Sequence, residues 1–596
     1  MVDIAVQKEQ KAELHSKLWE MANNLRGNME AYEFKNYILG LIFYRYLSER
    51  TENYMKELLK DDGISYAEAW QDEEYREGLK EESIDYLGYV IEPKYLFSHV
   101  IKLIETGEFD VEYMEKIINS ISESTQGHDS QEDFEGLWED MDLRSSKLGK
   151  EVSHRSKLIA KILNTINTID FHLENMELDV LGDAYEYLIG MFAQTAGKKG
   201  GEFYTPVNMS KLVAKLATAG LSEARTVSDC ACGSGGLLLQ VGKYIKVGQY
   251  YGQELTSTTY NLARMNMLLH GIPYNNFEIT NCDTLEDERY EDRKYTVQVA
   301  NPPYSTNWSA NSKFLDDERF SAYGKLAPKS TADFAFVQHM IYHMDSDGRI
   351  AVLLPHGVLF RGNAEETIRK YIVKDLNYLD AVIGLPANCF QGTSIPVCCL
   401  VLKRERNGNS DNICFIDASK YYTQGKAQNS ISQEDIDRIV NAYTERKDIE
   451  KFCHIATMEE IEENDYNLNI PRYVDTFEPE PEVEIEVIEE TLEVKETAAE
   501  PEVIEETVEV EENTSEPEVA EETVEVEESA IEPEVIEETL VVEETATEPE
   551  VEETEETIAV EETTEPEVTE EIVASEDQAE QEIEIEEEID EELPEE

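Results

Sequence analysis

The chain has 596 residues, room for about two or three domains, and a formal net charge of −79 at pH 7. Residues 477–596 hold 54 Asp and Glu against a single lysine, Lys495, a net of −53, and residues 1–476 keep the remaining −26. An acidic body excludes a protein that grips nucleic-acid phosphates unaided, because that binding draws on clustered Lys and Arg; a DNA substrate would need a basic partner to hold it.

In chain order, the opening "MVDIAVQKEQKAELH" lacks the basic-then-apolar layout of a signal peptide, and no apolar run approaches a membrane span. The expected location is therefore cytoplasmic, with no membrane contact. From residue 18, Leu18, Met21, Leu25, Tyr32, Tyr37, Leu41, Tyr44 and Leu47 recur at mostly three- and four-residue spacings, which predicts helices with one apolar face. That periodicity persists to about residue 195, through "KLIAKILNTINTI" and "LGDAYEYLIGMFAQ".

After "TAGKKGGEFYTP" the pattern changes. Short apolar runs ("TVSDCA", "YYGQEL", "TVQVAN", "RIAVLLP", "LDAVIGLP", "VCCLVLK") alternate with helical stretches. Strands separated by helices predict a doubly wound, mostly parallel α/β sheet covered on both faces, with its site at the carboxyl ends of the strands. A mixed region with the polar helix "ISQEDIDRIVNAYTERKDIE" follows, and then a low-complexity tail. There "EPEV" recurs from Glu480, Glu500, Glu516, Glu532, Glu548 and Glu565. Units of Glu, Val and Thr with almost no aromatic residue cannot bury enough surface to fold alone, so the tail is expected to be disordered and solvated. The eight cysteines match no metal-knuckle spacing and read as reduced thiols in apolar segments; no metal site is expected.

Four strand tips carry the chemistry. "VSDCACGSGG" ends a strand at Asp229 and opens a helix near Gly236. Gly233, Gly235 and Gly236 lie in the turn, where glycine lets backbone approach a ligand. "YYGQEL" places Glu254 at the second tip, the usual position for an acceptor of ribose hydroxyls. "ITNCDTLED" places Asp283 at the third, where a carboxylate can accept from an adenine amino group. The fourth ends in Asn301-Pro302-Pro303-Tyr304. Two prolines hold the Asn301 side-chain oxygen and the Pro302 carbonyl still, ready to accept both hydrogens of a planar amine. Accepting them favours the pyramidal nitrogen formed during attack on a methyl group, which is stabilisation directed at the transition state. Tyr304 offers a face for the ring that carries the amine.

The order "GGEFYTP", "DCACGSGG", "GQEL", "NCDTLED", "NPPY", "DFAFVQHM" and "LPANCFQGTSIPVCCLVLK" resembles S-adenosylmethionine-dependent adenine-N6 DNA methyltransferases, most closely the modification (M) subunit of type I restriction-modification systems. "LWEMANNLRG", "LGDAYEYLIGMFA" and "NDYNLNIPRYVD" carry the likeness over about residues 10–475. The resemblance implies a class I methyltransferase fold and S-adenosylmethionine as cofactor. Gly201, Glu202, Phe203, Tyr204, Thr205 and Pro206 would line its methionine end. Asp229, Gly233, Ser234, Gly235 and Gly236 would form the glycine turn, with Glu254 on the ribose and Asp283 near the adenine. Asn301, Pro302, Pro303 and Tyr304 would hold the target base, with Phe336 beside it. Cys230 stands where the family often has proline; it stiffens the turn less, and cofactor affinity rather than reaction type is expected to be affected. The implied organisation is a helical domain over 1–170, a catalytic domain over 171–403, a region over 404–476 contacting the specificity (S) subunit, and the acidic tail over 477–596. Implied partners are double-stranded DNA, one S subunit per two M subunits, and a restriction (R) subunit. Two rival readings stay open: an NPPY methyltransferase acting on a protein glutamine or an RNA base, and a non-catalytic acidic binding protein on a vestigial core.

Overall fold

The computed structural model describes residues 15–476, apart from 21, 24–28, 170–179, 197–200, 202, 291, 391 and 427; the acidic tail and Glu202 thus lie outside the described residues. The apolar stripes of the first 200 residues form helices: α1 (Ala31–Leu58), α2 (Glu73–Leu87), α3 (Phe97–Thr106), α4 (Val111–Ser124), α5 (Val152–Asn167) and α6 (Val180–Ala196). Their ends follow local chemistry. The Asp72 carboxylate accepts the amides of Glu74 and Tyr75 to start α2, and Gly88, at φ 85°, ends it. Helix α1 is apolar on nearly every side between residues 37 and 48 and is buried there accordingly. Its tyrosines still satisfy their hydroxyls: Tyr44 donates to the Tyr95 carbonyl at 2.6 Å and Tyr46 to the Leu268 carbonyl at 2.9 Å.

Beyond α7 (Val207–Thr218) come β1 (Glu223–Asp229), α8 (Gly236–Gly242), β2 (Lys246–Glu254), α9 (Ser257–Leu269), β3 (Phe277–Asn281), β4 (Tyr295–Ala300), α10 (Asp333–Tyr342) and β5 (Met344–Pro355). Then follow α11 (Asn363–Lys370), β6 (Leu379–Gly384), β7 (Val397–Lys403), β8 (Asn412–Asp417), α12 (Gln433–Glu445) and β9 (Cys453–Thr457). They form one nine-stranded sheet in the order β3-β2-β1-β4-β5-β7-β6-β8-β9. Strands β1 to β5 run parallel, as do β6 and β8, which gives the doubly wound sheet of a class I methyltransferase. Strands β7 and β9 run antiparallel to their neighbours. Helices α8, α9 and α10 follow β1, β2 and β4, whereas β6 returns as β7 through residues 385–396 without a helix. A return to the adjacent strand without a crossover helix is antiparallel.

Alternation along the strands divides the interior in two. On β5, Ala351 and Leu353 join a core shared with α1, α6 and α7, while Ile350, Val352 and Leu354 join the core under α10. All six residues of β4 and all six of β6 are buried, as strands covered on both faces require. Strand order reverses at β1, which has β2 on one side and β4 on the other. Such a switch point leaves a crevice outside the carboxyl ends of those strands, and Asp229 and Asn301 sit at its two lips. No helix among the described residues is long and apolar enough to cross a membrane.

Candidate active site

The glycine turn forms as the sequence requires. Gly233 and Gly235 have φ of 55° and 77°, in the left-handed region, and α8 begins at Gly236. A side chain at Gly233 is excluded twice over, since its Cβ would stand 2.9 Å from the Phe203 carbonyl oxygen. That same oxygen accepts the Ser234 amide at 3.1 Å, so the segment from 203 to 206 lies directly on the turn. Tyr204 reaches the other way and packs its ring on α6 at Gly190, where a Cβ would come within 2.7 Å of the phenol oxygen. Pro206 precedes the first residue of α7, and Gly201 is half-buried beside the segment.

The acidic tips converge on this turn. Asp229 is 2% exposed and Glu254 8% exposed. Asp229 Oδ1 accepts the Ala231 amide at 3.0 Å; Glu254 accepts Gly233 N at 3.0 Å on one oxygen and Thr256 N at 2.9 Å on the other. Among the described residues no cation pairs with either carboxylate. Burial, with the nearby Glu254 charge, pushes Asp229 up to about 7, against the Ala231 hydrogen bond. Burial likewise raises Glu254, and its backbone hydrogen bonds oppose the rise. Asp283 stands two residues beyond β3, where its Oδ1 caps the following turn by accepting Leu285 N at 3.0 Å and Glu286 N at 3.2 Å. Thr284 ties this turn to the first tip by donating to the Cys230 carbonyl at 2.6 Å, a fastening at the position where the sequence lacks proline. Buried carboxylates with unused lone pairs, beside a turn that admits no side chain, suit a ligand rich in hydroxyl and amine donors. They fit the adenosyl cofactor expected from the resemblance.

Asn301-Pro302-Pro303-Tyr304 leaves β4 at the adjacent lip, with Pro302 buried and Pro303 exposed. Asn301 Nδ2 donates to Thr205 Oγ1 at 2.9 Å, and the Tyr304 hydroxyl donates to Asn301 Oδ1 at 2.6 Å. This chain fixes which side of the amide carries oxygen and leaves that oxygen one further lone pair. It also joins two segments that are 96 residues apart. Burial holds the Tyr304 phenol well above its ordinary range, so it stays protonated as a donor. Its ring meets Phe390 edge-on at 5.9 Å. Phe336 is 7% exposed within the core under α10.

Sequence reasoning missed the residues that brace this tip. Asp333, 1% exposed at the start of α10, accepts Ser305 N at 2.8 Å and is held in turn by Arg361 Nη1 at 3.0 Å. Nothing in the linear pattern pairs Asp333 with position 305. It also missed a buried group behind the third tip, where Glu288, His339 and His343 offer ligand atoms within 4.8 Å of one another. Arg319 Nη1 lies 3.4 Å from both Glu288 Oε2 and His339 Nδ1, and its guanidinium donates to the Thr284 and Leu285 carbonyls. Burial, reinforced by His343, pushes His339 down to about 4. The ring is neutral at neutral pH, and Arg319 supplies the cation. The group therefore serves as an anchor for the turn that Asp283 opens.

Residues 176–482 match the family described as N-6 DNA Methylase, and residues 14–166 match the HsdM N-terminal domain. The chain is similar to the methylase subunit of the type I restriction enzyme MpnII of Mycoplasma pneumoniae, 38% identical over 508 residues that span 81% of this chain and 93% of the relative. It is 29% identical over 492 residues to the MjaIX methylase subunit of Methanocaldococcus jannaschii, spanning 78% of this chain and 84% of that one. Among solved structures, the methyltransferase subunit of a type I restriction-modification system from Streptococcus thermophilus is similar at TM-score 0.72 and 43% identity, covering 78% of this chain and 100% of its own.

Proposed function

The chain belongs to the N-6 adenine DNA methyltransferases, as a methylation subunit of the type I restriction-modification kind, and from that premise we infer how its site works and what it works with. The observation that carries the reading is the hydrogen-bond chain Thr205–Asn301–Tyr304 at the carboxyl end of β4, beside the glycine turn of β1. S-adenosylmethionine, when bound, supplies a methyl carbon made electrophilic by its positive sulfonium. Gly201 and Phe203 to Pro206 would hold its methionine end, Ser234 to Gly236 would form the turn around it, Glu254 would accept from its ribose hydroxyls, and Asp283 from its adenine amine.

The target is the exocyclic amine of an adenine in duplex DNA, which reaches such a crevice only when flipped out of the stack. Asn301 Oδ1 and the Pro302 carbonyl accept its two hydrogens. Held this way, the amine would lose its planar conjugation and its lone pair would become available for methylation. Thr205 and Tyr304 keep the Asn301 amide from rotating, so the acceptor is in place before the reaction starts. Tyr304 and Phe390 provide the apolar surface against the base. No general base is needed for the transfer itself, since the proton can leave after the new bond has formed.

Charge calls for partners and the family likeness says which. Residues 1–476 carry a net −26, which argues against this chain holding duplex DNA unaided. By likeness to the type I M subunits, the partners are one S subunit that reads the sequence for two M subunits, with a translocating R subunit joining them. Residues 404–476 contact the S subunit, and the helices of 1–170 close over the DNA. The transfer does not require the acidic segment at 477–596. The rival readings, a glutamine or RNA-base methyltransferase and a non-catalytic binder, gain no support from these relatives.

The decisive experiment combines purified chain, its S subunit, labelled S-adenosylmethionine and DNA, and maps the methyl group. Transfer to adenine N6 that disappears in Asn301→Ala is the expected result. Cofactor binding without transfer to any DNA, with the S subunit present, would overturn it.

A further inference from the structure

Lys35 lies in the second turn of α1 and is only 7% exposed. Lysines buried to this degree ordinarily meet a carboxylate or carbonyl, because an ammonium taken from water needs partners for its three donors. Among the described residues none accepts from it, and its Nζ, which is not fully buried, keeps a narrow opening through which a ligand or water can reach it. An aromatic ring lies close instead: Nζ is 4.1 Å from the centroid of the Phe203 ring. Cation–π attraction offsets part of the desolvation but satisfies no N–H. Asp140 acts on Lys35 through charge, with no hydrogen bond or ion pair between them, while its two carboxylate oxygens take hydrogen bonds from Thr258 and Asn261 on α9. Burial pulls the Lys35 pKa down to about 8, with Asp140 opposing, which still leaves the amine mostly protonated at neutral pH.

The position of this unmatched cation gives it a meaning. Phe203 belongs to the segment whose carbonyl closes the glycine turn by accepting Ser234 N, so Lys35 stands one aromatic ring away from that turn. The carboxylates around the turn, Asp229 and Glu254, suit amine and hydroxyl groups and repel an anion. We propose that the Lys35 ammonium is the counter-ion for the carboxylate on the methionine end of S-adenosylmethionine, which makes the N-terminal helices part of the cofactor site. The proposal rests on the cofactor reading above and adds to it a residue outside the sheet. A phosphate of the DNA backbone is the poorer match, since it would have to reach a side chain that is 7% exposed. One physical consequence is that cofactor binding and the seating of α1 on the sheet are coupled.

The test compares binding of S-adenosylmethionine and its decarboxylated analogue to the purified full-length chain by calorimetry. Wild-type protein should prefer the carboxylated ligand by about tenfold or more, the scale of one charge-assisted hydrogen bond. In Lys35→Met, which keeps length and removes charge, the two ligands should bind within about twofold of each other, with the decarboxylated ligand unaffected. Lys35→Arg should retain a preference. Lys35→Gln repeats the measurement with a polar neutral side chain, so that a folding defect in one variant, seen as a lowered thermal midpoint, does not decide the outcome. A preference retained in the neutral variants overturns the proposal, as does an equal loss of both ligands in a variant that melts like wild type. Weaker DNA binding with the ligand preference intact would assign Lys35 to phosphate and overturn it too. A wild-type chain that binds neither ligand removes the methyltransferase reading itself, and this proposal with it.

Discussion

The same parallel strands present opposite electrostatics at their two ends. At the amino edge, Arg225 near the start of β1 pairs with Asp345 and Asp347 at 2.8 Å each, on a surface where its side chain is 63% exposed. A cleft of about 570 Å³ opens there, lined by Glu223, Arg225, Lys246, Asp347, Arg349 and Lys403 among others. Its charges largely answer one another. At the carboxyl edge Asp229 and Glu254 are buried beside backbone amides with no paired cation among the described residues, and Lys35 is 7% exposed with no ion-pair partner among them and Asp140 acting on it only through its field. Charges of both signs kept apart inside a protein are costly unless a ligand completes them. Volume alone points to the amino edge; unpaired buried charge points to the carboxyl edge, where the proposed site lies.

That contrast breaks most severely at Asn301. Asn301→Ala removes the acceptor while leaving the glycine turn and its carboxylates untouched, so methyl transfer should fall by at least about 100-fold, the scale of losing one preorganised transition-state hydrogen bond. Cofactor affinity should change by less than about threefold. Single-turnover transfer of labelled methyl groups and calorimetric titration check the two halves. A parallel collapse of cofactor binding would mean that the fourth tip is not separable from the first.

Asp229→Asn probes the cost of the unmatched charge. The Asp229 carboxyl has a folded-state pKa of about 7 against an ordinary 3.8. Between those values the unfolded chain releases a proton that the folded chain keeps, so wild-type stability falls as pH rises through this window and levels off above it. The asparagine variant escapes that loss. It should match wild type near pH 4 and exceed it by roughly 2–4 kcal/mol at pH 8 in denaturant titrations without cofactor. Cofactor affinity should drop about tenfold or more, one hydrogen bond to a charged group being of that order. An advantage that is absent at pH 8 would show that the charge is already compensated.

How much of this was legible before the fold was known varies with the kind of information. Asn301 could be read because β4 is buried along its whole length and announces its own end, whereas β1 and β2 are mixed and turn fully buried only over their last residues, where Asp229 and Glu254 stand. Gly233 could be read because only glycine tolerates φ of 55° beside another backbone. The reversal of β7 was hidden: "VCCLVLK" is equally apolar whichever way it runs, and direction depends on the helix-free connection before it. Hidden as well were contacts across sequence distance. The Thr205–Asn301 bond, the Asp333 and Arg361 brace, and Lys35 over Phe203 join residues whose linear neighbourhoods say nothing of each other. Periodicity reports which face of an element is apolar, and it is silent on what that face meets.

Thr205→Val sharpens the comparison by loosening one joint without removing any group from the reaction. The valine keeps the volume and loses the acceptor for Asn301 Nδ2, so the amide can rotate and present nitrogen in place of oxygen. Transfer should slow about tenfold, with the change in kcat rather than in KM for DNA, as expected for an interaction realised in the transition state. A pure KM effect would assign Thr205 to binding.

The smallest effect belongs to the opposite edge. Arg225→Ala opens both ion pairs beneath β1, but the arginine is solvated and its partners Asp345 and Asp347 regain water when it goes. Exposed pairs of this kind contribute little because the Coulomb gain in high dielectric is offset by side-chain ordering and screened by salt. Methyl transfer and cofactor affinity should stay within about twofold of wild type, and the thermal midpoint should move less than in any variant at the carboxyl edge. The shift should also shrink as salt is raised, because only the screened Coulomb part was lost. A large, salt-insensitive fall in activity would mean that the amino-edge cleft takes part in function, and unmatched buried charge would no longer distinguish the two ends of the strands.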